Sequence, residues 1–208
     1  MAVHAMGSAQ QIAKNTIVVN SGNGGFGPNV STYDPVATSA TSLGSIGTSF
    51  IQDIVIKDHY AYVAATDSII KYNLAENTRV AGAEFGSTST GSLLVHGDYL
   101  FVGNQFNPTT ENLEVYDIHT MNKIKGFSEI SVEVPGMEVM NDTLYVLQNI
   151  KHTVDAGFPG YYVDSLGYVS KISLDDLEYQ GDITFDPLTT KNFAKVYANN
   201  GKLHFFGT

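Results

Sequence analysis

The sequence predicts an all-β protein assembled from repeated four-stranded antiparallel units, and three observations lead to this fold class. One pattern of apolar strand, gap, second strand and turn occurs three times in full and twice in part. The full copies recur at 39 and 44 residues, measured from Tyr62 to Phe101 and from Phe101 to Tyr145. No stretch sustains the roughly 3.6-residue periodicity of a helical repeat. Four-stranded propeller blades repeat at roughly 40–50 residues, so the chain is predicted to be a β-propeller.

Each full copy supplies four strands, called A to D from the centre of the ring outward. The runs that predict them are short, apolar or alternating, and are bounded by Gly, Asn and Asp, as expected for strands and turns. Strand A is predicted at 51–56, 93–96 and 137–140, strand B at 60–64, 99–103 and 143–147, strand C at 68–74, 112–118 and 168–174, and strand D at 79–85, 123–130 and 177–185.

Tight hairpin turns are predicted between strands A and B. Such turns demand a positive φ, which Asn, Asp and Gly tolerate. Pairs that contain these residue types stand at the same place in four copies: Asp58-His59, Gly97-Asp98, Asn141-Asp142 and Asn200-Gly201. The position of these pairs therefore supports the same repeat as the strands do.

Residues 16–208 are predicted to form one partial propeller domain of three complete and two partial blades. The N-terminal copy supplies strands B, C and D, and 193–206 supplies strands A and B. A seven-bladed ring would need roughly 300 residues at this repeat length, and the preferred interpretation is that the chain is part of such a ring. Two alternatives stay open. The terminal strands complete a shared blade, or the open edges self-associate with another copy, since unpaired strand edges are sticky.

Composition and charge exclude several kinds of partner and site. The net charge is -10, from 21 acidic and 11 basic residues, and Arg79 is the only arginine, so no nucleic-acid partner is expected. Cys is absent, which removes disulfides and thiolate metal sites. No apolar run approaches the roughly 20 residues of a membrane-spanning helix, so no membrane insertion is expected. Residues 1–15 are interpreted as disordered or tag-derived, and no signal peptide is recognised in them.

The connections between strands B and C are predicted to form the interaction face. They all lie on one rim, because strands A and C run parallel. The third connection, 148–167, is far longer than the others, and long loops in a compact domain are usually functional or mobile. Its aromatic residues either bind a ligand or fold the loop onto its own blade. The candidate ligand-binding residues on this rim are Phe26, Phe106, His152, Phe158, Tyr161 and Tyr162.

A second group of candidates occupies equivalent repeat positions near the start of strand A. Asp53, Ser92 and Lys195, together with Gly136, are predicted to line the mouth of the central channel. No two of them are distinctive enough to form a general acid–base pair. No nucleophile elbow, catalytic triad or metal-ligand spacing is recognised, so no catalytic residue, metal or cofactor is predicted.

Several motifs resemble the YVTN-type β-propeller repeat of bacterial surface and periplasmic proteins, within the quinoprotein-dehydrogenase-like superfamily. The resemblance covers most of residues 16–206, and departs from the family where Asn73 and Ser173 replace the usual acidic residue. It implies an extracytoplasmic protein, in the periplasm or at the cell surface. The residues that carry it are Tyr62-Val63-Ala64-Ala65, 68–74, Asn77-Thr78-Arg79-Val80 and Gly86, and, in the next copy, 100–103, 116–118 and 121–124.

The leading functional hypothesis is a non-catalytic binding or scaffold module that engages a protein, peptide or glycan through the B–C rim. The alternative is an enzyme of the propeller type, a lactonase or a quinone-cofactor dehydrogenase, with a metal in the channel. Fold alone does not argue for the enzyme, because the same fold hosts many functions. A purely structural segment of a larger surface protein is the third hypothesis.

Overall fold

A computed structural model describes most of the repeat region. The described residues are 16–20, 29–46, 51–66, 68–84, 90–104, 111–153, 162–185 and 193–207. The N-terminal segment 1–15, interpreted above as disordered or tag-derived, lies outside them.

The described residues form five separate antiparallel sheets, each corresponding to one blade. Blades 2, 3 and 4 have four strands, whereas blade 1 has three and blade 5 has two. Blade 1 contains β1 (Thr16–Asn20), β2 (Asn29–Asp34) and β3 (Ser39–Ser45), and blade 5 contains β16 (Phe193–Asn199) and β17 (Lys202–Gly207). Blade 2 contains β4 (Ile51–Lys57), β5 (Tyr60–Ala65), β6 (Ser68–Asn73) and β7 (Thr78–Glu84). Blade 3 contains β8 (Thr90–His96), β9 (Tyr99–Asn104), β10 (Leu113–Asp117) and β11 (Lys123–Phe127), and blade 4 contains β12 (Met137–Met140), β13 (Thr143–Thr153), β14 (Tyr162–Ser173) and β15 (Tyr179–Thr184).

The blades follow one another around their A strands. Strand β4 contacts β8, β8 contacts β12, and β12 contacts β16. Each complete blade is a meander in which neighbours in sequence are neighbours in the sheet. The predicted architecture of three complete and two partial blades is thus confirmed. The seven-bladed ring stays a prediction.

The A–B turns have the backbone geometry that their residues predict. At the four predicted turns φ is positive, between 50° and 68°, at Asp58, Gly97, Asn141, Asp142, Asn200 and Gly201. In the turns of blades 4 and 5 both central residues have positive φ, as the hairpin turns that match strand twist require.

The C–D turns share a side-chain hydrogen bond that was not predicted. In blades 1, 2 and 3 the last residue of strand C accepts two backbone N–H bonds of 2.7 to 3.2 Å through its Oδ1 atom; these residues are Asp34, Asn73 and Asp117. An amide oxygen accepts these bonds as a carboxylate does, so Asn73 preserves the turn despite its departure from the resembled family. Four residues later φ is again positive, at Thr38, Asn77, Met121 and Leu177.

Both faces of a complete blade are buried by its neighbours, which explains the continuous apolar runs of strand B. Alternate residues of β5 belong to different clusters: Val63 packs with Val30 of blade 1, and Tyr62 packs with Leu100 of blade 3. The next cluster joins blades 3 and 4 through fully buried residues that include Phe101.

Several predicted boundaries were wrong, among them the start of strand A in blade 3, which was predicted at 93 but lies at Thr90. The connection 148–167 is not a loop throughout, because β13 and β14 extend into it and pair from Gln148 with Tyr168 to Thr153 with Tyr162. Strand D of blade 3 was predicted to reach residue 130 but ends at Phe127. Ile130 nevertheless is fully buried, since the chain turns back onto the core after the strand ends.

Candidate functional site

The longest hairpin of the protein lies on the B–C rim and belongs to blade 4. Its strands β13 and β14 have 11 and 12 residues, whereas β9 and β10 of blade 3 have 6 and 5. The additional residues pair as a two-stranded ribbon beyond the end of β15, whose last residue pairs with Tyr168. The hairpin therefore projects from the blade on the rim that the sequence predicts for binding.

The structure gives a position to two of the six predicted rim residues. His152 lies in β13 opposite Asp164, and Tyr162 is the first residue of β14. Both stand near the outer end of the hairpin, in strand rather than loop. Phe26, Phe106, Phe158 and Tyr161 lie outside the described residues.

The base of the hairpin is fixed to blade 5 by a side-chain amide. Asn149 Nδ2 donates to the carbonyl of Phe193 at 2.8 Å, and Phe193 N donates to Asn149 Oδ1 at 2.9 Å. Asn149 N also donates to the carbonyl of Glu133 at 3.1 Å. Gly167 lies so close to the Phe193 ring that a Cβ atom there would overlap it. These contacts hold both strands of the hairpin where it leaves the sheet.

A buried polar network lies beneath the hairpin on the opposite face of blade 4. Gln148 Nε2 donates to Ser170 Oγ, and Ser170 Oγ donates to Asp182 Oδ1. Tyr168 OH donates to Gln148 Oε1 at 3.1 Å. Burial, followed by the Asp182 charge, raises the pKa of Tyr168. For Tyr179 the pKa is raised to about 12 by burial and then by its hydrogen bond to Asp182.

This network was not predicted, although the sequence carries a signal for it. Gln148 and Ser170 are polar residues at fully buried positions of strands that are otherwise apolar. Buried polar groups are hydrogen-bonded as a rule, so two such residues on neighbouring strands indicate a network. It occupies space between blades 3 and 4 and stiffens the sheet from which the hairpin extends.

The predicted channel-mouth residues occupy one structural position, immediately after a bulge in strand A. Asp53 lies opposite Ala64, Ser92 opposite Gly103, and Lys195 opposite Phe206. A bulge re-aims the side chains that follow it. The function of these residues at a channel stays a prediction.

Two of these side chains bind the backbone of the next blade. Asp53 Oδ2 accepts a hydrogen bond from Leu93 N at 2.8 Å, which links blades 2 and 3. Ser92 Oγ donates to the carbonyl of Val134 at 2.9 Å, which links blades 3 and 4. Asp53 thus joins two neighbouring strands A, and Ser92 joins strand A of blade 3 to the segment that precedes β12.

Opposing effects act on the pKa of the Asp53 carboxyl. Burial raises its pKa above the ordinary value, whereas the N–H groups of Leu93 and Ile54 lower it, and the positive charge of Lys195 lowers it further. The carboxyl of blade 2 and the ammonium of blade 5 therefore share one electrostatic environment, although their strands are the first and last strands A of the chain. Within the described ranges, no group of three His, Cys, Asp or Glu residues is placed to hold a metal ion.

Comparisons with known proteins identify the fold. The chain resembles a computationally designed protein, Ika4, with 8% identity, TM-score 0.57, and coverage of 80% of this chain and 95% of that one. It also resembles the WD40 domain of Neurospora crassa Pan2, with 13% identity, TM-score 0.58, and coverage of 81% and 49%. A chain of the mitotic checkpoint complex matches with 11% identity, TM-score 0.53, and coverage of 86% and 63%. The fold is a β-propeller.

This propeller spans only part of its natural structural neighbours, about half of the Pan2 domain and less than two thirds of the checkpoint chain. No protein-family model and no curated protein matches the chain. Its membership of the YVTN-type family therefore stays a prediction. Among the described residues of the propeller, no helix is long and apolar enough to cross a membrane.

Proposed function

We propose that this propeller is a non-catalytic binding module that engages a protein, peptide or glycan through its B–C rim. The observation that carries the proposal is the β13–β14 hairpin, which extends beyond the sheet of blade 4 while the equivalent strands of blades 2 and 3 end at the rim. In the described residues the outer part of the hairpin pairs only with itself, which favours a role in contact with a partner.

The rigidity of the hairpin base supports this proposal. The paired hydrogen bonds between Asn149 and Phe193 and the polar network of Gln148 fix the strands from both faces. A fixed element loses little conformational freedom on binding, which favours affinity. The sequence of the hairpin segment also contains Phe158, Tyr161 and Tyr162, aromatic residues of the type that dominates binding interfaces.

The structural neighbours support an interaction module only through their fold. One of them is, by its description, a chain of a multiprotein complex. Fold similarity at this identity does not carry over a partner, so the partner class is argued from the rim residues alone. The same proposal places the protein outside the cytoplasm, on the strength of the YVTN-type motifs, and cell fractionation of the source organism tests that location.

The binding function is tested by removing the aromatic groups at the end of the hairpin. The full chain and a variant with Phe158→Ala, Tyr161→Ala and Tyr162→Ala are screened on a glycan array and against a displayed peptide library. A ligand that binds the unchanged chain is expected to lose at least about tenfold in affinity for the variant, since truncation of a hot-spot aromatic removes more than about 1–2 kcal/mol.

A matched variant on the opposite rim controls for general damage. His59 and His96 are exposed rings beside the A–B turns, so His59→Ala with His96→Ala removes aromatic surface far from the hairpin. This control is expected to retain binding. Unchanged affinity of the triple variant, or equal loss in both variants, would show that the hairpin is not the binding element.

A further inference from the structure

At three successive junctions, a side chain of one blade donates a hydrogen bond to the C–D turn of the next blade. Lys71 Nζ of blade 2 donates to the carbonyl of Ile118 in blade 3 at 2.7 Å, and Lys125 Nζ of blade 3 donates to the carbonyl of Leu177 in blade 4 at 2.6 Å. Between blades 1 and 2, Thr32 Oγ1 donates to the side chain of Asn77 at 2.9 Å. A donor in one blade therefore meets the C–D turn of the following blade at three successive junctions.

Blade 4 carries the same donor, but blade 5 has no C–D turn to receive it among the described residues. Lys171 occupies the position of Lys71, and its strand partner Tyr145 occupies the position of Tyr62. Tyr62 and Lys71 are 1% and 5% exposed, because blade 3 covers them. Tyr145 and Lys171 are only half-buried. The face of blade 4 that carries Tyr145 and Lys171 is therefore equivalent to the face of blade 2 that blade 3 covers.

The free edge of β17 borders this surface. Strand B is buried in the complete blades, where strand C pairs with it, but in the described part of blade 5 β17 pairs only with β16. Phe206 is 54% exposed and stacks edge-on against Tyr197, which is 49% exposed. An open edge with exposed aromatic residues is a template for another strand.

Blade 1 has the strands C and D that the described part of blade 5 does not include. It contains β1, β2 and β3 in the places of strands B, C and D, and its described residues include no strand A such as β16. Within one chain the two partial sheets share no strand pairing in the described residues. The three other C–D hairpins already belong to complete blades, so β2–β3 is the one described hairpin that lacks a full blade of its own.

We propose that a second copy of this chain completes blade 5 with its β2–β3 hairpin. Strand β17 then displaces β1 and pairs with β2 of the partner, which exchanges the β1–β2 pairing of one chain for a pairing between chains, and Lys171 donates to a carbonyl of the partner's C–D turn. This arrangement continues the junction that blades 2 and 3 already form. Because the described residues of each copy contain one A–B pair with an unpaired β17 edge and one C–D hairpin, the exchange is reciprocal and closes as a two-fold dimer.

The repeat also predicts the register of the new pairing. The same strand-B position pairs with the same strand-C position in every blade that has both strands: Ile17 with Thr32, Tyr62 with Lys71, Phe101 with Val115 and Tyr145 with Lys171. His204 holds this strand-B position in β17, since it pairs with Tyr197 as Tyr62 pairs with Val55. His204 is therefore expected to lie opposite Thr32 of the second copy.

The first test measures the mass of the full chain in solution by light scattering over a range of concentrations. The expected mass is twice that of one 22.5 kDa chain. Phe206→Lys and Lys171→Ala are each expected to raise the dissociation constant of the dimer about tenfold or more, through a charged edge and a lost charged hydrogen bond. Ile124→Lys places the same charge on another exposed apolar residue, 47% exposed in β11, and is expected to leave the dimer intact.

The second test traps the predicted register with a disulfide. The chain has no cysteine, so a bond forms only between introduced residues. Chains carrying His204→Cys are co-expressed with chains carrying Thr32→Cys and oxidised, and a crosslinked pair of one chain of each kind is expected. Each variant expressed alone controls for random crosslinking.

Three results would overturn the proposal. The first is a monomer at every concentration. The second is a dimer whose dissociation constant is unchanged by Phe206→Lys and Lys171→Ala, which would place the contact elsewhere. The third comes from a chain carrying both His204→Cys and Thr32→Cys: if it forms an internal disulfide while the co-expressed single variants form no crosslinked pair, the chain closes on its own half-blades.

Discussion

The junction between blades 2 and 3 and the junction between blades 4 and 5 are made from the same two residue types and reach different degrees of burial. In the first, Tyr62 and Lys71 are covered, and Lys71 donates to Ile118. In the second, Tyr145 and Lys171 are half-buried beside a sheet of two strands. The difference shows that the neighbouring blade, rather than the residue type, determines how deeply a repeat position is buried.

The largest expected effect is the difference in unfolding free energy between two equivalent strand-B substitutions, one at the junction of blades 3 and 4 and one at the junction of blades 4 and 5. Phe101 is fully buried between blades 3 and 4, so Phe101→Ala is expected to lower the free energy of unfolding by about 3–5 kcal/mol. Tyr145→Ala removes a ring of similar size from a half-covered site and is expected to lower it by no more than about half as much. Urea unfolding of both variants, in the monomer at low concentration, measures the difference. Equal losses would mean that the terminal junction is as well packed as the inner ones.

A smaller loss of unfolding free energy is expected when Lys71, or its equivalent Lys171, is replaced. Lys71→Met keeps the apolar stem but leaves the buried Ile118 carbonyl with only the 3.4 Å hydrogen bond from Tyr62 OH, which is expected to cost about 1–2 kcal/mol. It also removes the ammonium group that lies 4.2 Å from the centre of the Tyr60 ring. Lys171→Met is the matched control and is expected to change the stability of the monomer by less than about 0.5 kcal/mol. The same unfolding assay decides this, and a large loss from Lys171→Met would contradict the comparison.

The smallest effect concerns the C–D turns. The Asn73 amide in blade 2 and the Asp117 carboxylate in blade 3 each accept two backbone N–H hydrogen bonds. Hydrogen bonds from Thr120 and then His119 hold the pKa of Asp117 below its ordinary value. A carboxyl with a lowered pKa stabilises the fold fully above its unfolded value, and this contribution is lost as the pH falls through the lowered folded value. Asn73 has no such dependence, since an amide does not titrate in this range.

Asp117→Asn is therefore expected to keep the turn at neutral pH and to reduce the loss of stability in acid. Urea unfolding at about pH 7 and about pH 3 measures this change in slope. Asp176 also has a lowered pKa, through its hydrogen bond with Ser173, so part of the slope is expected to remain. An unchanged slope in the variant would mean that the Asp117 carboxylate does not stabilise the folded state over its protonated form.

The blade 4 hairpin shows where prediction from the sequence stopped. Residues 148–167 contain Gly, Asp and polar residues, which is typical of a loop, and the sequence analysis interpreted them as one. Once Asn149 and Gly167 are fixed against Phe193, the two chains are already antiparallel, and backbone pairing continues outward without an apolar pattern. Local pattern alone does not contain that anchoring, because Phe193 belongs to another blade.

The sequence also did not predict which groups the side chains at the start of strand A would bind. Their equivalent spacing predicted a shared position for Asp53, Ser92 and Lys195, and the bulge before each of them gives that position a structural cause. The sequence did not indicate that Asp53 and Ser92 bind the backbone of the next blade. The hydrogen-bond partners of Asp53 and Ser92 lie 40 and 42 residues away in sequence, in the next blade. Neither periodicity nor residue type identifies them.

By itself, the sequence determined the repeat, the four strands of each complete blade and the turns between them. These are local properties, because alternation, Gly and Asn placement and positive φ act within a few residues. The tertiary structure decided which positions are buried, which polar side chains join the blades, and that β17 pairs only with β16 among the described residues. Those outcomes depend on contacts between segments about forty residues apart, so two identical Tyr–Lys pairs are covered in blade 2 and half-exposed in blade 4.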